Sequence, residues 1–378
     1  MIKIIRATTV PMSLEAFCKG MLRELSGKYE VIALSSPGEE MQVIAEREGV
    51  RTIEVPMERH ISFFKDIVSM WRLIWVFLKE RPTMVHSMTP KAGLLCIMAA
   101  WVTRVPVRVH TFTGLVFPTA SGLKRKVLMM TDWLTCACAT HVIPEGEGVK
   151  SDLLNNGITK KPMRVLGHGN VCGVDMEYWS RRKEVMDIVT QKALKSQKFT
   201  FLFVGRIVRD KGINELCQAF NQLSDITPAR LLLVGPYEDC LDPISQNSRD
   251  IIEKNPNIEA VGAKSGDELL AYYAASDCFV FPSYREGFPN TVLEAGAIGL
   301  PSIVTDINGS REIIIPRGNG VIIPPRDANA LFLAMLDMMR DKTARERMAA
   351  NARQLIASRY EQSYVRQCLY DFYDEILS

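Results

Sequence analysis

The sequence predicts an α/β protein made of two doubly wound domains in tandem, each built on a parallel sheet. Three observations predict it. Short apolar, β-rich runs alternate with helical stretches along the chain, and that alternation means parallel strands joined by right-handed crossovers. The series starts afresh at FTFLFV, near residue 199. The length, 378 residues, suits two or three domains with sizeable cores. The boundary is expected at 180, with domains over 1–180 and 181–360.

In the first half, Met1–Ile5 reads as a strand and Leu14–Leu25 as a helix, with Ser13 placed to cap it. Tyr29–Ser35 is a second strand, Met41–Glu48 a helix closed by Gly49, and Thr52–Val55 a third strand. Ser62–Lys79 reads as a long helix that apolar residues nearly encircle, among them Phe64, Val68, Trp71 and Trp75. An all-round apolar helix is ordinarily core, so burial between the sheet and its neighbours is expected; the alternative is that one side meets lipid. Met84–Ser87, with His86 near its end, is the fourth strand, and Lys91–Val102 a helix. Val107–His110 is the fifth strand, which puts His110 at the C-terminal edge of the sheet. Leu123–Thr135 is a helix opened by Lys124, Arg125 and Lys126; Thr140–Pro144 is a strand and Glu147–Asn155 a helix. Residues 181–197 read as a charged linking helix.

In the second half, strands are expected at Phe199–Val204, Arg230–Val234, Ile258–Val261, Ser302–Thr305 and Gly320–Ile323, with one more ending at Val280. Helices are expected at Ile213–Leu223, from Asp267, and at Thr291–Ile298, Ala328–Met339, Ala344–Arg359 and Glu361–Leu377.

Composition narrows the function classes. A net charge of +3 argues against nucleic acid as the main partner. The charge is uneven: residues 1–180 carry 22 Lys and Arg against 17 Asp and Glu, and the rest carries 24 against 26. The nine cysteines include no C-x-x-C pair, which fits buried thiols and a reducing, cytosolic compartment. MIKIIRATTV is too short and strand-like for a signal peptide. No uninterrupted apolar run reaches the roughly 18–20 residues that span a bilayer. The first βα turn, RATTVPMS, lacks glycine, so the G-x-G-x-x-G dinucleotide fingerprint is absent.

The stretch FPSYREGFPNTVLE, Phe281–Glu294, organises the second half. Glu286 falls in a loop at the C-terminal edge of a strand, Gly287, Pro289 and Asn290 form the turn, and Glu294 falls about one turn into the next helix. That edge is where open α/β sheets bind ligands. A helix start offers backbone N–H groups to phosphate. Two carboxylates flanking such an anion site are placed to accept hydrogen bonds from sugar hydroxyls, so the pattern points to a sugar nucleotide. E-x7-E alone is a weak signal; here D-x-x-V-F-P-S precedes it and Gly299 and Pro301 follow as G-x-P.

E-G-F-P-N-x-x-L-E-A, with V-G-R-I-V-R-D-K-G and H-T-F-T-G, resembles retaining glycosyltransferases of the GT-B fold, family four in particular. The resemblance covers nearly the whole chain and implies two Rossmann-like domains facing each other across a cleft, the first for the acceptor and the second for the nucleotide sugar. It implies that the last helix, 361–378, crosses back to the first domain. Gly173, Val174 and Asp175 match the G-V-D that closes the N-terminal domain in these enzymes. Arg206 and Lys211, after Gly205, match the pair that contacts the donor diphosphate. Arg brings a fork for two oxygens and Lys a point charge. Glu294 matches the glutamate on the ribose hydroxyls and Glu286 the one on the transferred sugar. Backbone N–H groups over the segment Gly287, Phe288, Pro289, Asn290 and Thr291 complete the phosphate cradle, and Gly262, Ala263 and Lys264 lie where the base packs. His110 matches a histidine beside the transferred sugar, placed to hydrogen-bond its 6-hydroxyl.

No D-x-D pair offers a divalent metal its carboxylates, so neither metal nor cofactor is expected. The acceptor-side candidates are Thr8, Thr9, Ser13, Thr111 and Thr113. Family-four enzymes often carry a Gly-Gly in the first βα turn; its absence here and the HTFTG turn resemble bacterial enzymes that extend sugars on undecaprenyl diphosphate for capsule, O-antigen or lipid-linked oligosaccharide. The expected reaction is therefore transfer of a hexose or N-acetylhexosamine from a UDP-sugar to a lipid-linked sugar. Basic and apolar residues interleave over 62–79 and 123–135, which suits peripheral contact with an anionic membrane from the cytoplasmic side. A non-hydrolysing UDP-sugar epimerase of the same fold, or an inactive nucleotide-sugar-binding scaffold, are the alternatives.

Overall fold

The computed structural model describes residues 1–58, 62–239 and 242–378. They form two compact units, Met1–Gly173 with Tyr364–Ser378, and Val174–Ser363. The division lies at 173/174, ahead of the expected 180.

The first unit is a parallel sheet of β1 (Lys3–Ala7), β2 (Glu30–Ser35), β3 (Arg51–Glu54), β4 (Met84–Ser87), β5 (Val107–Phe112) and β6 (His141–Pro144), ordered β3-β2-β1-β4-β5-β6. On one face lie α1 (Pro11–Cys18), α2 (Met21–Ser26) and α3 (Glu39–Glu48). Leu14, Leu22, Met41 and Ile44 of these helices share one core with Ile4 and Val31 of the sheet. The other layer is α4 (Phe63–Glu80), α5 (Pro90–Val102) and α6 (Gly122–Cys138), packed side by side, with α7 (Glu147–Asn155) beyond them. Right-handed crossovers travelling one way across a sheet put their helices on one face, which is why these three form a layer.

Two expectations for this unit are corrected. The helix expected at Leu14–Leu25 is two helices, and Ser13 lies inside the first rather than capping it. Pro11 starts the helix early, its fixed φ suiting the first helical position. Gly20, at φ 74°, breaks it where a Cβ would sit 2.9 Å from the Arg366 guanidinium. Arg366 donates to the Lys19 carbonyl at 2.6 Å across that gap. The second correction concerns α4, which was expected to be buried. Leu73, Val76 and Phe77 face the sheet, while Trp71, Trp75 and Leu78 are exposed. A helix in an outer layer presents only part of its circumference to the sheet, and α4 packs against a helical neighbour in α5.

The second unit opens with α8 (Lys183–Gln191) and holds β7 (Phe199–Val204), β8 (Ala229–Val234), β9 (Ile258–Gly262), β10 (Cys278–Phe281), β11 (Ser302–Thr305) and β12 (Gly320–Ile323), ordered β12-β11-β10-β7-β8-β9. Its further helices are α9 (Ile213–Ser224), α10 (Gln246–Lys254), α11 (Gly266–Ala275), α12 (Asn290–Ile298), α13 (Ser310–Ile313), α14 (Ala328–Arg340) and α15 (Lys342–Tyr360). The central strands are buried on both faces, as parallel strands under two helical layers must be, and so read as unbroken apolar runs such as LLLV and CFVF. Helix α10, QNSRDIIEK, was not anticipated. Its apolar content is Ile251 and Ile252, and its start is marked by Ser245, whose Oγ accepts from the Ser248 N–H.

The last helix, α16 (Gln362–Leu377), joins the first unit from Tyr364 onward. Leu369, Phe372 and Tyr373 enter the core built by β1, α1, α2 and α3. Tyr373 accepts from the buried Arg6 of β1 at 2.5 Å. Truncating Phe372 to alanine is expected to cost about 3–5 kcal/mol, and removing residues 364–378 to lower soluble yield sharply. Urea unfolding of the first and recovery of the second against full-length protein check both; unchanged values would show that α16 is dispensable.

Both sheets follow the doubly wound order, with the chain reversing direction between β1 and β4 and between β7 and β10. Ligands of such sheets bind outside the strand C-termini at that reversal. Among the described residues, no helix is long and apolar enough to cross a membrane.

Candidate functional site

In the second unit the reversal between β7 and β10 brings two of the candidate loops together. The loop after β7 carries Gly205, Arg206 and Lys211; the loop after β10 carries Ser283 and Glu286. Lys211 Nζ forms an ion pair with Glu286 Oε1, and Ser283 Oγ donates to the same oxygen at 2.7 Å. Both charged side chains are largely shielded, and the ammonium lies 5.1 Å from the Phe281 ring centroid. The loops are held together by backbone. The Tyr284 N–H donates to the Asp210 carbonyl at 2.9 Å, and Arg285 Nε pairs with Asp210 Oδ2 at 3.0 Å.

Gly212 makes this approach possible. At φ 71° it sits so close to the second loop that a Cβ would be 2.0 Å from the Pro282 carbonyl oxygen. Gly309, after β11, is likewise pressed on the turn, 2.5 Å separating its would-be Cβ from the Gly287 carbonyl oxygen. Gly212→Val is expected to destabilise the protein by roughly 2–5 kcal/mol, because the two loops must part. Urea melts measure this, and a neutral substitution would mean the loops are not mutually seated.

Glu294 stands in the second turn of α12, its Oε2 accepting from the Tyr273 hydroxyl of α11 at 2.9 Å. Its surface is partly open, but the protein around the carboxyl pushes its pKa up to about 7, with the Tyr273 bond pulling the other way. Helix α12 starts at Asn290 after Pro289, so the Thr291 N–H falls in the first turn, where anions are held. The Phe288 ring turns into the core against Tyr360, centroids 5.5 Å apart, which leaves only its backbone for a ligand.

Other candidates are placed less directly. Arg206 shares the loop with Lys211, but its guanidinium pairs with Glu238 at 2.5 Å. Gly262 ends β9 at φ 74°, Ala263 follows, and Lys264 pairs with Glu268 at 3.2 Å. Tyr273 and Ser283 contact the two candidate glutamates, and sequence reasoning missed them. Ser283 lies within the D-x-x-V-F-P-S run already singled out, and its position one residue past Pro282 was the available signal. Tyr273 carried no signal beyond helix propensity.

In the first unit, His110 is not at the strand end, since β5 runs on to Phe112. It is buried, its Nδ1 lies 2.8 Å from Ser87 Oγ, and burial lowers its pKa to about 3, so the ring is neutral. His86 is buried too. Its Nδ1 lies 2.9 Å from Arg6 and 2.6 Å from the Tyr373 hydroxyl. With Arg6 donating to Nδ1, the neutral ring carries its proton on Nε2 and donates to Thr111 Oγ1 at 2.7 Å. That commits Thr111 to the interior. Thr8 Oγ1 donates to the Val10 carbonyl at 2.9 Å and Thr113 Oγ1 to the Met88 carbonyl at 2.9 Å. Thr9 bridges the β1–β4 reversal, its Oγ1 lying 2.6 Å from that of Thr89, a partner the sequence did not single out. These hydroxyls shape the rim from within.

Comparisons with known proteins bear on the family and the fold. Residues 186–355 match the model of the family "Glycosyl transferases group 1", and residues 15–169 match "Glycosyl transferase 4-like domain". The chain is 30% identical to the capsular polysaccharide biosynthesis glycosyltransferase CapM of Staphylococcus aureus, over 99% of this chain and 97% of that protein. It is 27% identical to the Escherichia coli UDP-Gal:alpha-D-GlcNAc-diphosphoundecaprenol alpha-1,3-galactosyltransferase, over 78% and 76%. Among solved structures, Anabaena HepE in complex with UDP and glucose superposes with a TM-score of 0.83 at 14% identity, over 99% of this chain and all of that one. The fold is thus that of the GT-B glycosyltransferases.

Proposed function

This chain belongs to the group 1 glycosyltransferases, and from that premise we propose that it transfers a hexose or N-acetylhexosamine, with retention, from a UDP-sugar to a lipid-linked sugar in bacterial surface polysaccharide synthesis. The observation that carries the proposal is the cluster at the β7–β10 reversal. Lys211, Glu286 and Ser283 are gathered in two mutually seated loops, and Glu294 follows on the helix after them.

In this reading Lys211 and the start of α12 hold the diphosphate, and Arg206 swings from Glu238 to join them. Their charge takes the place a metal would fill. Glu294 accepts from the ribose hydroxyls and Glu286 from the transferred sugar, while Gly262, Ala263 and Lys264 border the base. Before the donor arrives, Glu286 and Lys211 satisfy each other, so binding exchanges one ion pair for a lysine–phosphate and a carboxylate–hydroxyl contact. The neutral His110 offers hydrogen bonding rather than proton transfer. The capsular and undecaprenol-linked relatives support the lipid-linked acceptor, and with it a place of work at the inner face of the cytoplasmic membrane.

The test is thermal shift against UDP, GDP, ADP and their sugars, for wild type and Glu294→Ala. A UDP-selective rise, reduced in the variant, is expected. No rise with any nucleotide at millimolar concentration would favour a scaffold that has lost turnover.

A further inference from the structure

The outer face of the α4–α5–α6 layer is apolar where it meets solvent. Four of the chain's five tryptophans lie on these helices and stand exposed: Trp71 by 68%, Trp75 by 63%, Trp101 by 57% and Trp133 by 52%. Phe64 at the start of α4 and Leu123 at the start of α6 are more exposed still. On α4 the apolar residues are spaced as a stripe, Phe64, Val68, Trp71, Trp75 and Leu78, falling on one side of a 3.6-residue repeat. Lys65, Arg72 and Lys79 fall along one border of that stripe, all exposed, and Lys79 Nζ lies 5.1 Å from the Trp75 ring centroid.

The charges on this layer are sorted. Lys124 and Lys126 of α6 are exposed, while Arg125 turns inward to Asn156 at 2.8 Å. Among the described residues of α4, α5 and α6, no carboxylate is exposed. Asp66 pairs with Lys91 at 2.5 Å, Glu80 with Lys3 at 3.2 Å and with Arg51, and Asp132 is half-buried. Glu58, which pairs with Lys65 at 2.6 Å, is an acidic neighbour just ahead of α4. An exposed apolar stripe rimmed by cations, with tryptophan as its dominant large residue, is the composition of a surface that lies in the headgroup region of a bilayer. Indole rings settle at that depth, and the lysines and arginines reach anionic headgroups. A second copy of this chain would bring the same cationic rims together, which the charge pattern disfavours.

We infer that the α4–α5–α6 face is a docking surface for an anionic lipid bilayer, entered by Trp71 and Trp75 and held by Arg72, Lys79, Lys124 and Lys126. The inference rests on the reading of the acceptor as lipid-linked and adds to it the surface that meets the membrane. Helices α4, α5 and α6 each follow the C-terminal end of a parallel strand, so their starts, with Phe64 and Leu123, belong to the same end of the sheet as Thr9 and Thr113. A lipid-anchored sugar lying against this face is thereby brought to the rim of the first unit.

The experiment is co-sedimentation of the full chain with phosphatidylcholine vesicles and with phosphatidylcholine–phosphatidylglycerol vesicles, at low and high salt. Wild type is expected to partition onto the anionic vesicles, less so at high salt, and hardly onto the neutral ones. Trp71→Ser with Trp75→Ser is expected to lower the partition coefficient by about tenfold or more. Lys124→Glu with Lys126→Glu is expected to remove most of the salt dependence. Melting temperature and turnover with a water-soluble acceptor should stay as in wild type for both, since none of these residues is in the nucleotide site. Absence of binding to anionic vesicles, or equal binding by the tryptophan variant, overturns the inference. So does a dimer in solution that shields Trp71 and Trp75 from acrylamide quenching. Loss of turnover with vesicle binding intact would strike at the proposed reaction and leave the docking surface standing.

Discussion

Replacing Lys211 by alanine is expected to lower kcat/KM for sugar transfer by about 10²- to 10³-fold. The Lys211 ammonium is shielded from solvent, beside the Phe281 ring and on a loop that Gly212 fixes against the next one. In the proposed reaction, a charge held there acts in a low-dielectric setting and needs no reorganisation as the diphosphate leaves. Because negative charge builds on the leaving group in the transition state, the loss should fall on kcat more than on KM. The folded state should change little, with a melting shift of only about 2–4 °C, since Glu286 keeps its hydrogen bond from Ser283. UDP release and labelled-sugar transfer under steady state measure the effect. A kcat/KM within about threefold of wild type would remove Lys211 from the machinery. Lys211→Arg restores charge with a different shape, so partial recovery separates charge from geometry.

Glu294→Gln is expected to weaken UDP-sugar binding by about 10- to 100-fold and to flatten its pH dependence. Burial holds the Glu294 carboxyl at about 7 in the unliganded protein. Ribose hydroxyls donate best to the ionised carboxylate, so donor affinity in the wild type should rise as pH climbs through about 7. The effect on folding has the opposite sign. Between the ordinary carboxyl value near 4.5 and about 7, the folded state binds more protons at this group than the unfolded state does. Stability attributable to Glu294 is therefore greatest at the acid end of that window and falls as pH rises across it. The glutamine variant should lose that slope. Calorimetric titration with UDP at pH 6 and 8 provides the readout, and an affinity independent of pH in the wild type would contradict a titrating carboxylate at the ribose.

The second unit was the more legible from sequence, and the reason is physical. Strands such as β8 and β10 are buried on both faces and leave an unbroken apolar signature, and E-x7-E falls on a loop–helix junction that its own glycine and prolines mark. The Lys211–Glu286 pairing was not legible, because 75 residues separate the partners and only the sheet order brings their loops together. Tyr273 was missed for the same reason: its hydroxyl gains a role only through a partner on another helix. The exposed side of α4 was misjudged because periodicity reports which residues are apolar, not what lies against them. His110 looked like a rim residue because VRVH ends on it, whereas Thr111 and Phe112 extend the strand through pairing with β6.

The pairing of Arg6 with Tyr373 has a consequence for how the chain is made. A ribosome delivers β1 first and α16 only after the entire second unit has emerged. Until then the core of the first unit lacks Leu369, Phe372 and Tyr373, and the Arg6 guanidinium lacks its phenol. The second unit, whose core draws on residues 174–363 alone, can close while the older half is still waiting. Synthesis order and completion order are thus reversed. The interval between them is when the nascent first unit exposes apolar surface and most needs a chaperone.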